Sequence, residues 1–179
     1  MSKLPEKVSL KLLYSKKKIE KATKELANQI AEDMQGESVV MVAVLNAGAK
    51  LMLDLVDQFP DKTERFRYDF ISAKSYEGTK SQGWVTVSSL ISSKLTDRVI
   101  IVVDLICDSG RTLEAVCSEL KKYKPKGILT CALLKRKGCP FPLDYFKFTV
   151  QPGKFLVGRG LDIADAYRWL PEIFELKEQ

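Results

Sequence analysis

The chain contains no histidine. Ser-His-Asp triads and Cys-His nucleophile pairs are therefore excluded, and most transition-metal sites lose their commonest ligand. Acid–base chemistry has to come from Asp, Glu, Lys or Tyr. Cysteine is scarce: Cys107, Cys117, Cys131 and Cys139 are the whole set. They form no Cys-x-x-Cys pair and sit mostly in apolar surroundings. They read as reduced thiols, not as a disulfide framework or a zinc site. No apolar run approaches the ~18 residues of a membrane-spanning helix. The opening Met-Ser-Lys-Leu-Pro lacks the apolar core of a secretory signal, so a cytoplasmic location is expected. The Gly-x-x-x-x-Gly-Lys-Ser/Thr pattern of a P-loop is missing, as are internal repeats and low-complexity segments.

What is present is the make-up of a globular protein. At 179 residues, with 45% hydrophobic and 29% charged residues, the chain is expected to form one domain with a substantial core. The net charge is +6, but the basic residues are spread along the chain and no nucleic-acid recognition motif accompanies them. A small polyanionic substrate accounts for that charge, with no nucleic-acid or membrane partner expected.

Helical and strand patterns alternate. Ser15 precedes apolar residues at Ile19, Ala22, Leu26, Ile30 and Met34, and Gly36 follows, the pattern of a capped amphipathic helix. Val39 to Leu45 has the length and composition of a buried strand, followed by a short helix from Ala49 to Gln58. Phe66 to Ala73 alternates as a strand, Lys74 to Gly83 reads as a loop, and Trp84 to Ser88 as another strand. Arg98 to Val103 and Gly127 to Leu134 are predicted buried strands around a helix from about Arg111 to Lys124, with Pro125 as a terminator. The pattern predicts an α/β fold, a mostly parallel twisted sheet flanked by helices. The core is expected at about 36–137. The tail from about 140 to 179, with the N-terminal segment, is expected to form a small appended subdomain.

The richest stretch is Val102-Val103-Asp104-Leu105-Ile106-Cys107-Asp108-Ser109-Gly110-Arg111-Thr112-Leu113. A buried strand here feeds a loop that opens a helix. Free backbone N–H groups and the positive end of the helix dipole then face one spot, which suits a phosphate. Ser109 and Thr112 add hydroxyl donors, and the two carboxylates suit hydroxyls, a metal or a proton. The plainer reading is a solvated Asp-Ser-Gly turn. Four other places carry a similar double reading. Leu45-Asn46-Ala47-Gly48 is either a turn or a small-residue approach for a bulky anion. Ser75-Tyr76 sits in a polar loop. Lys135-Arg136 follows a strand and can be surface residues. Lys154-Phe155-Leu156-Val157-Gly158-Arg159-Gly160-Leu161-Asp162, followed by Tyr167-Arg168, supplies Phe155 and Leu156, which taken alone read as core.

The stretch from Asp104 to Thr112 closely resembles the ribose-phosphate motif of the type I phosphoribosyltransferases, usually Glu-Asp-x-x-Asp-Thr/Ser-Gly-x-Thr. Asp104 stands at the first acid, Leu105 at the second, and Asp108-Ser109-Gly110-Arg111-Thr112 over the phosphate loop. The other stretches resemble the hypoxanthine–guanine branch of that family, in the same order along nearly the whole chain. Leu45, Asn46, Ala47 and Gly48 are similar to its pyrophosphate loop, with Leu45–Asn46 as a non-proline cis peptide. Ser75 and Tyr76 are similar to the Ser-Tyr of its flexible hood. Lys135 takes the place of a lysine that donates to a purine 6-oxo group. Phe155 matches a residue that stacks on the purine. Leu156 and Asp162 match residues whose carbonyls meet the base edge. Arg168 matches a pyrophosphate-binding arginine.

The resemblance implies a purine salvage enzyme that joins hypoxanthine, and guanine, to phosphoribosyl pyrophosphate, giving IMP or GMP and pyrophosphate. It implies Mg²⁺ as cofactor, near Asp104 and Asp162, and a homodimer or homotetramer. It implies Asp108 as the catalytic residue beside purine N7. Two departures stand out: Leu105 replaces the second acid, and Arg159 replaces a frequent tyrosine. Loss of one charge-assisted hydrogen bond at 105, roughly 1.5–3 kcal/mol, is expected to weaken ribose or Mg²⁺ binding while activity survives. A xanthine-preferring enzyme and a non-catalytic, nucleotide-sensing RNA-binding regulator of the same fold remain open on these residues.

Overall fold

The computed structural model describes residues 8–59, 65–75, 85–89 and 91–178. In chain order the elements are β1 (Val8–Tyr14), α1 (Lys16–Asp33), β2 (Val39–Leu45), α2 (Ala47–Gln58), β3 (Phe66–Ser75), β4 (Val85–Ser89), β5 (Val99–Cys107), α3 (Arg111–Leu120), β6 (Gly127–Arg136), β7 (Phe148–Val150), β8 (Phe155–Val157) and β9 (Ile173–Glu178). Six strands form one sheet in the order β4-β3-β2-β5-β6-β7. Only β4 is antiparallel to its neighbour; the other pairings are parallel. No described helix is long and apolar enough to cross a membrane.

The sheet is apolar on both faces because helices cover both. The Ser15 side chain accepts from the Lys18 N–H at 3.4 Å and caps α1, whose buried stripe includes Ile19, Ala22, Leu26 and Ile30. That stripe packs with Leu51, Met52 and Leu55 of α2 against Val39, Met41 and Ala43 of β2 and Val99, Ile101 and Val103 of β5. The alternate residues Val40, Val42, Ile100 and Val102 face the other way, toward Leu113, Val116 and Leu120 of α3. The period-2 alternation of each strand thus supplies two cores from one run of apolar residues.

Several elements differ from the sequence expectation: α2 begins at Ala47 and not Ala49, and β3 runs on through Lys74 and Ser75, which were expected in the loop. β5 does not stop before Asp104: Asp104, Ile106 and Cys107 stay paired with Ala132, Leu134 and Lys135 of β6. A polar side chain at 104 leaves the backbone free to continue the ladder. β6 likewise runs to Arg136, so Lys135 lies on a strand and not on a loop after one. The helix expected to Lys124 ends at Leu120, and a 3₁₀ turn over Lys121–Tyr123 completes it, with Lys124 left-handed at φ 52° before Pro125.

The stretch from Pro140 divides between the two sheets. β7 pairs in parallel with β6 and is an edge strand of the main sheet. β8 joins a second, antiparallel sheet of order β1-β9-β8, which pairs the first described strand with the last.

One contact fixes how α2 meets the sheet. A Cβ placed on Gly48 would lie 2.3 Å from the Val103 carbonyl oxygen and 3.0 Å from Asp104 Cα. Only glycine lets the first turn of α2 rest directly on the backbone of β5. Gly48→Ala is expected to lower stability by about 1–3 kcal/mol, read as a lower thermal midpoint in calorimetry; an unchanged midpoint would contradict this packing. Leu105 has no exposed surface and lies in the core beneath α1 and α2, on the opposite side of β5 from Asp104. An acid there points away from any sugar. Leu105→Asp is expected to cost at least ~3 kcal/mol by burying an unpaired charge, read from urea unfolding. A variant of wild-type stability would place residue 105 outside the core.

Candidate active site

In the strand order, β3 lies on one side of β2 and β5 on the other. The connections leaving β2 and β5 therefore diverge, and a crevice opens beyond their carboxyl ends. It holds a cavity of about 750 Å³. One wall is Leu45, Asn46 and Ala47, at the start of α2; the other is Ser109, Gly110 and Thr112, at the start of α3. Two helix N-termini, with their unpaired N–H groups and positive dipole ends, thus converge on one space. The peptide between Leu45 and Asn46 is cis, as the resemblance implied. Gly48 is buried behind this wall, where its close contact with β5 sets the position of the α2 terminus.

The α3 loop owes its shape to Gly110. It is left-handed, at φ 87°, and a Cβ there would lie 2.2 Å from the Phe141 Cβ. The chain then turns directly into α3, whose first turn carries Glu114, an acid that complements the dipole. Ser109 Oγ lies 3.5 Å from the Arg111 N–H. Arg111, expected in the phosphate loop, is exposed and does not line the cavity.

Charge in the cavity is divided. Asp104 lines it and accepts from the Leu105 N–H at 2.7 Å. Burial pushes its carboxyl up to about 7, against the opposing pull of the Leu105 and Ile106 amides. No cationic side chain among the described residues pairs with it. Asp162 and Arg168 line the same cavity as a direct ion pair: Arg168 Nη1 lies 2.8 Å from Asp162 Oδ1 and donates to the Gly160 carbonyl at 3.0 Å. Arg168 Nη2 adds an ion pair with Asp165 at 3.0 Å. Asp162 Oδ2 accepts from the Asp165 N–H at 2.9 Å.

Asp108 stands between this cavity and a smaller one of about 300 Å³, which Arg136, Lys154 and Phe155 also line. Phe155 is half exposed there and is not the core residue that its composition suggests, because β8 turns it outward and turns Leu156 into the core. Lys135 lines neither cavity. Its ammonium sits over the Phe146 ring, 5.5 Å from the centroid. Ser75 is the last residue of β3, and Tyr76 lies outside the described residues.

Several participants escape a reading of the sequence. Ser72 and Ala73 line the main cavity from the end of β3, and Asp165 lines it from the turn after Asp162. Arg136 holds the Asp108 carboxylate with its Nε and Nη2 groups. Arg159, in place of the frequent tyrosine, is buried and pairs with Asp54 of α2. It ties the turn after β8 to the helix whose start walls the cavity. The four cysteines are free thiols, and burial pushes Cys107 up to about 12, with the neighbouring Cys139 adding to the rise.

Comparison with known proteins agrees with this geometry. The family model for the phosphoribosyl transferase domain matches residues 9–162. The hypoxanthine-guanine-xanthine phosphoribosyltransferase of Tritrichomonas foetus is 32% identical over 172 residues, covering 94% of this chain and 92% of that protein. The hypoxanthine-guanine phosphoribosyltransferase of Aquifex aeolicus (strain VF5) is 34% identical over 175 residues, covering 94% and 96%. Among solved structures, a hypoxanthine-guanine phosphoribosyltransferase from Bacillus anthracis superposes with a TM-score of 0.84 at 32% identity, covering 96% of this chain and 100% of that one. With the paired helix termini, the acids between them and a match over most of its length, the chain belongs to the type I phosphoribosyltransferase family.

Proposed function

We propose that the chain transfers the 5-phosphoribosyl group of phosphoribosyl pyrophosphate to hypoxanthine, and to guanine, giving IMP or GMP and pyrophosphate. The observation that carries this reading is the crevice with two separate anion cradles and an acid between them. A substrate with a phosphate at one end and a pyrophosphate at the other requires two such cradles. The amides at the start of α3, with the Ser109 and Thr112 hydroxyls, suit the 5′-phosphate. The amides of Ala47 and Gly48 suit the pyrophosphate, toward which Arg168 brings a cation.

Asp104 suits the ribose hydroxyls and a hard cation. Among the described residues no group of three or more His, Cys, Asp and Glu forms a metal cage. An unpaired carboxylate facing a phosphate-binding space nonetheless fits Mg²⁺, which takes one or two carboxylates and completes its shell with water and substrate oxygens. Bound there, Mg²⁺ supplies charge neutralisation for the departing pyrophosphate. Asp162 is the second carboxylate on that side, with its charge already met by Arg168.

As pyrophosphate leaves, C1′ gains oxocarbenium character, and purine N9 attacks from the opposite face. Asp108 lies where the two cavities meet and accepts the proton, or stabilises the positive charge, at purine N7. Phe155 offers its ring to the purine face, and the Leu156 and Asp162 carbonyls flank the base edge. Lys135 would become the donor to the 6-oxo group only by swinging its ammonium off the Phe146 ring and into the base cavity, which it does not line. Its contact with Phe146, worth ~0.5–1 kcal/mol at an exposed site, exchanges readily for a carbonyl oxygen. A donor-only ammonium favours a 6-oxopurine over adenine. Assembly into a homodimer or homotetramer is part of the same proposal, and a cytoplasmic location suits a substrate of this kind.

Incubation with phosphoribosyl pyrophosphate, Mg²⁺ and hypoxanthine is expected to yield IMP, with adenine unreactive and guanine and xanthine run beside it. Asp108→Asn is expected to lower kcat by about 10²–10⁴-fold; nucleotide formation at the wild-type rate in that variant refutes the role of Asp108. A second expectation concerns pH. The Asp104 carboxyl is raised to about 7 in the fold, above the ~3.9 of an unfolded chain, so the folded state holds this proton more tightly. The Asp104 contribution to stability should therefore fall as pH rises from about 4 to about 7. The urea midpoint of the wild type relative to that of Asp104→Asn should drop between these values. Identical pH profiles would contradict the burial of Asp104.

A further inference from the structure

Arg136 ends β6 beside the two cavities, with only 12% of its side chain exposed. Its Nε donates to Asp108 Oδ1 at 3.1 Å, and its Nη2 donates to Asp108 Oδ2 at 3.0 Å. Its Nη1 donates to the Gln151 carbonyl at 2.9 Å and to the Lys154 carbonyl at 3.0 Å. These carbonyls bracket the turn Pro152-Gly153, with Gly153 at φ 76°, that delivers Phe155 to β8. Four donated hydrogen bonds thus run from one planar group to two features of the base side: a carboxylate on the loop after β5, and the backbone of the turn before Phe155. No lysine could do this, since an ammonium lacks the fixed fork of a guanidinium.

Asp108 itself is open to solvent, with 63% of its side chain exposed, and no other described cation holds it. Left free, its carboxylate would sample several rotamers. The fork removes that freedom. It uses one lone pair on each oxygen and leaves the others for an incoming N–H.

We propose that Arg136 is a positioning residue for purine transfer: it fixes the direction of the Asp108 carboxylate and ties it to the turn bearing Phe155, so that stacking and proton acceptance are set as one unit. This inference rests on the reading of the site as a purine phosphoribosyltransferase. Arg136 acts through Asp108 and the turn, and touches neither phosphate cradle.

The test compares wild type, Arg136→Ala and Arg136→Lys by steady-state kinetics in hypoxanthine and in phosphoribosyl pyrophosphate. Each is measured with and without millimolar guanidinium chloride, and thermal midpoints are recorded alongside. In Arg136→Ala, kcat/KM for hypoxanthine should fall by roughly ten- to a hundredfold, the range set by loss of a charge-assisted hydrogen bond, while KM for phosphoribosyl pyrophosphate holds. Free guanidinium should restore activity severalfold in Arg136→Ala and leave wild type unchanged. Arg136→Lys should keep the charge and still lose activity toward hypoxanthine. Should Arg136→Ala not fold, Arg136→Lys carries the same comparison. Wild-type kcat/KM for hypoxanthine in the folded variants, equal damage to both substrates, or absence of guanidinium rescue in folded Arg136→Ala each overturns the proposal alone. A wild-type chain that makes no nucleotide overturns it together with the functional reading.

Discussion

The structure depends on the close approach of the first turn of α2 to the backbone of β5 at Gly48. That contact leaves no room for a side chain, and it sets the α2 terminus beside the α3 terminus across one crevice. Two sets of unpaired amides then face the same space. In the proposed reaction, phosphate binding would follow from the backbone, with the side chains refining it. The twofold use of each strand, one face under α1 and α2 and the other under α3, holds both termini on a single rigid sheet.

Around this backbone cradle the charges are sorted by burial. Asp104 is raised to about 7 by burial and pairs with no cation among the described residues, which suits it to the divalent ion and ribose hydroxyls of the proposed reaction. Arg168 is steadied by Asp162 and Asp165 and faces the same cavity. Asp108 is the reverse of Asp104: open, and held by a guanidinium from the neighbouring strand. The Arg159–Asp54 pair joins the segment that follows Phe155 to α2. The turn after β8 and the helix that walls the main cavity are therefore mechanically linked.

Much of this was legible in the sequence. The apolar stripe of α1 and the runs of β2, β5 and β6 follow directly from periodicity and from residues of matching length and shape. The loop from Asp108 to Thr112 was readable because glycine, hydroxyls and a helix start are local features. What escaped depends on partners distant in the chain. Asp104 looked like a strand end because its pairing with Ala132 is invisible locally. Phe155 looked like core because a three-residue strand does not declare which side faces out. Lys135 was expected in the pocket, yet an aromatic face at Phe146 holds its ammonium. The acid partners of Arg136 and Arg159 lie 28 and 105 residues away along the chain.

The central claim is that the amides opening α3 grip the 5′-phosphate of the nucleotide. Amide chemical shifts of Gly110, Arg111, Thr112 and Leu113, followed by NMR as IMP and then inosine are titrated in, test it most directly. The account predicts large, saturating shifts of these amides with IMP and little change with inosine, which lacks the phosphate. Equal shifts with both, or amides that IMP leaves unmoved, would contradict it.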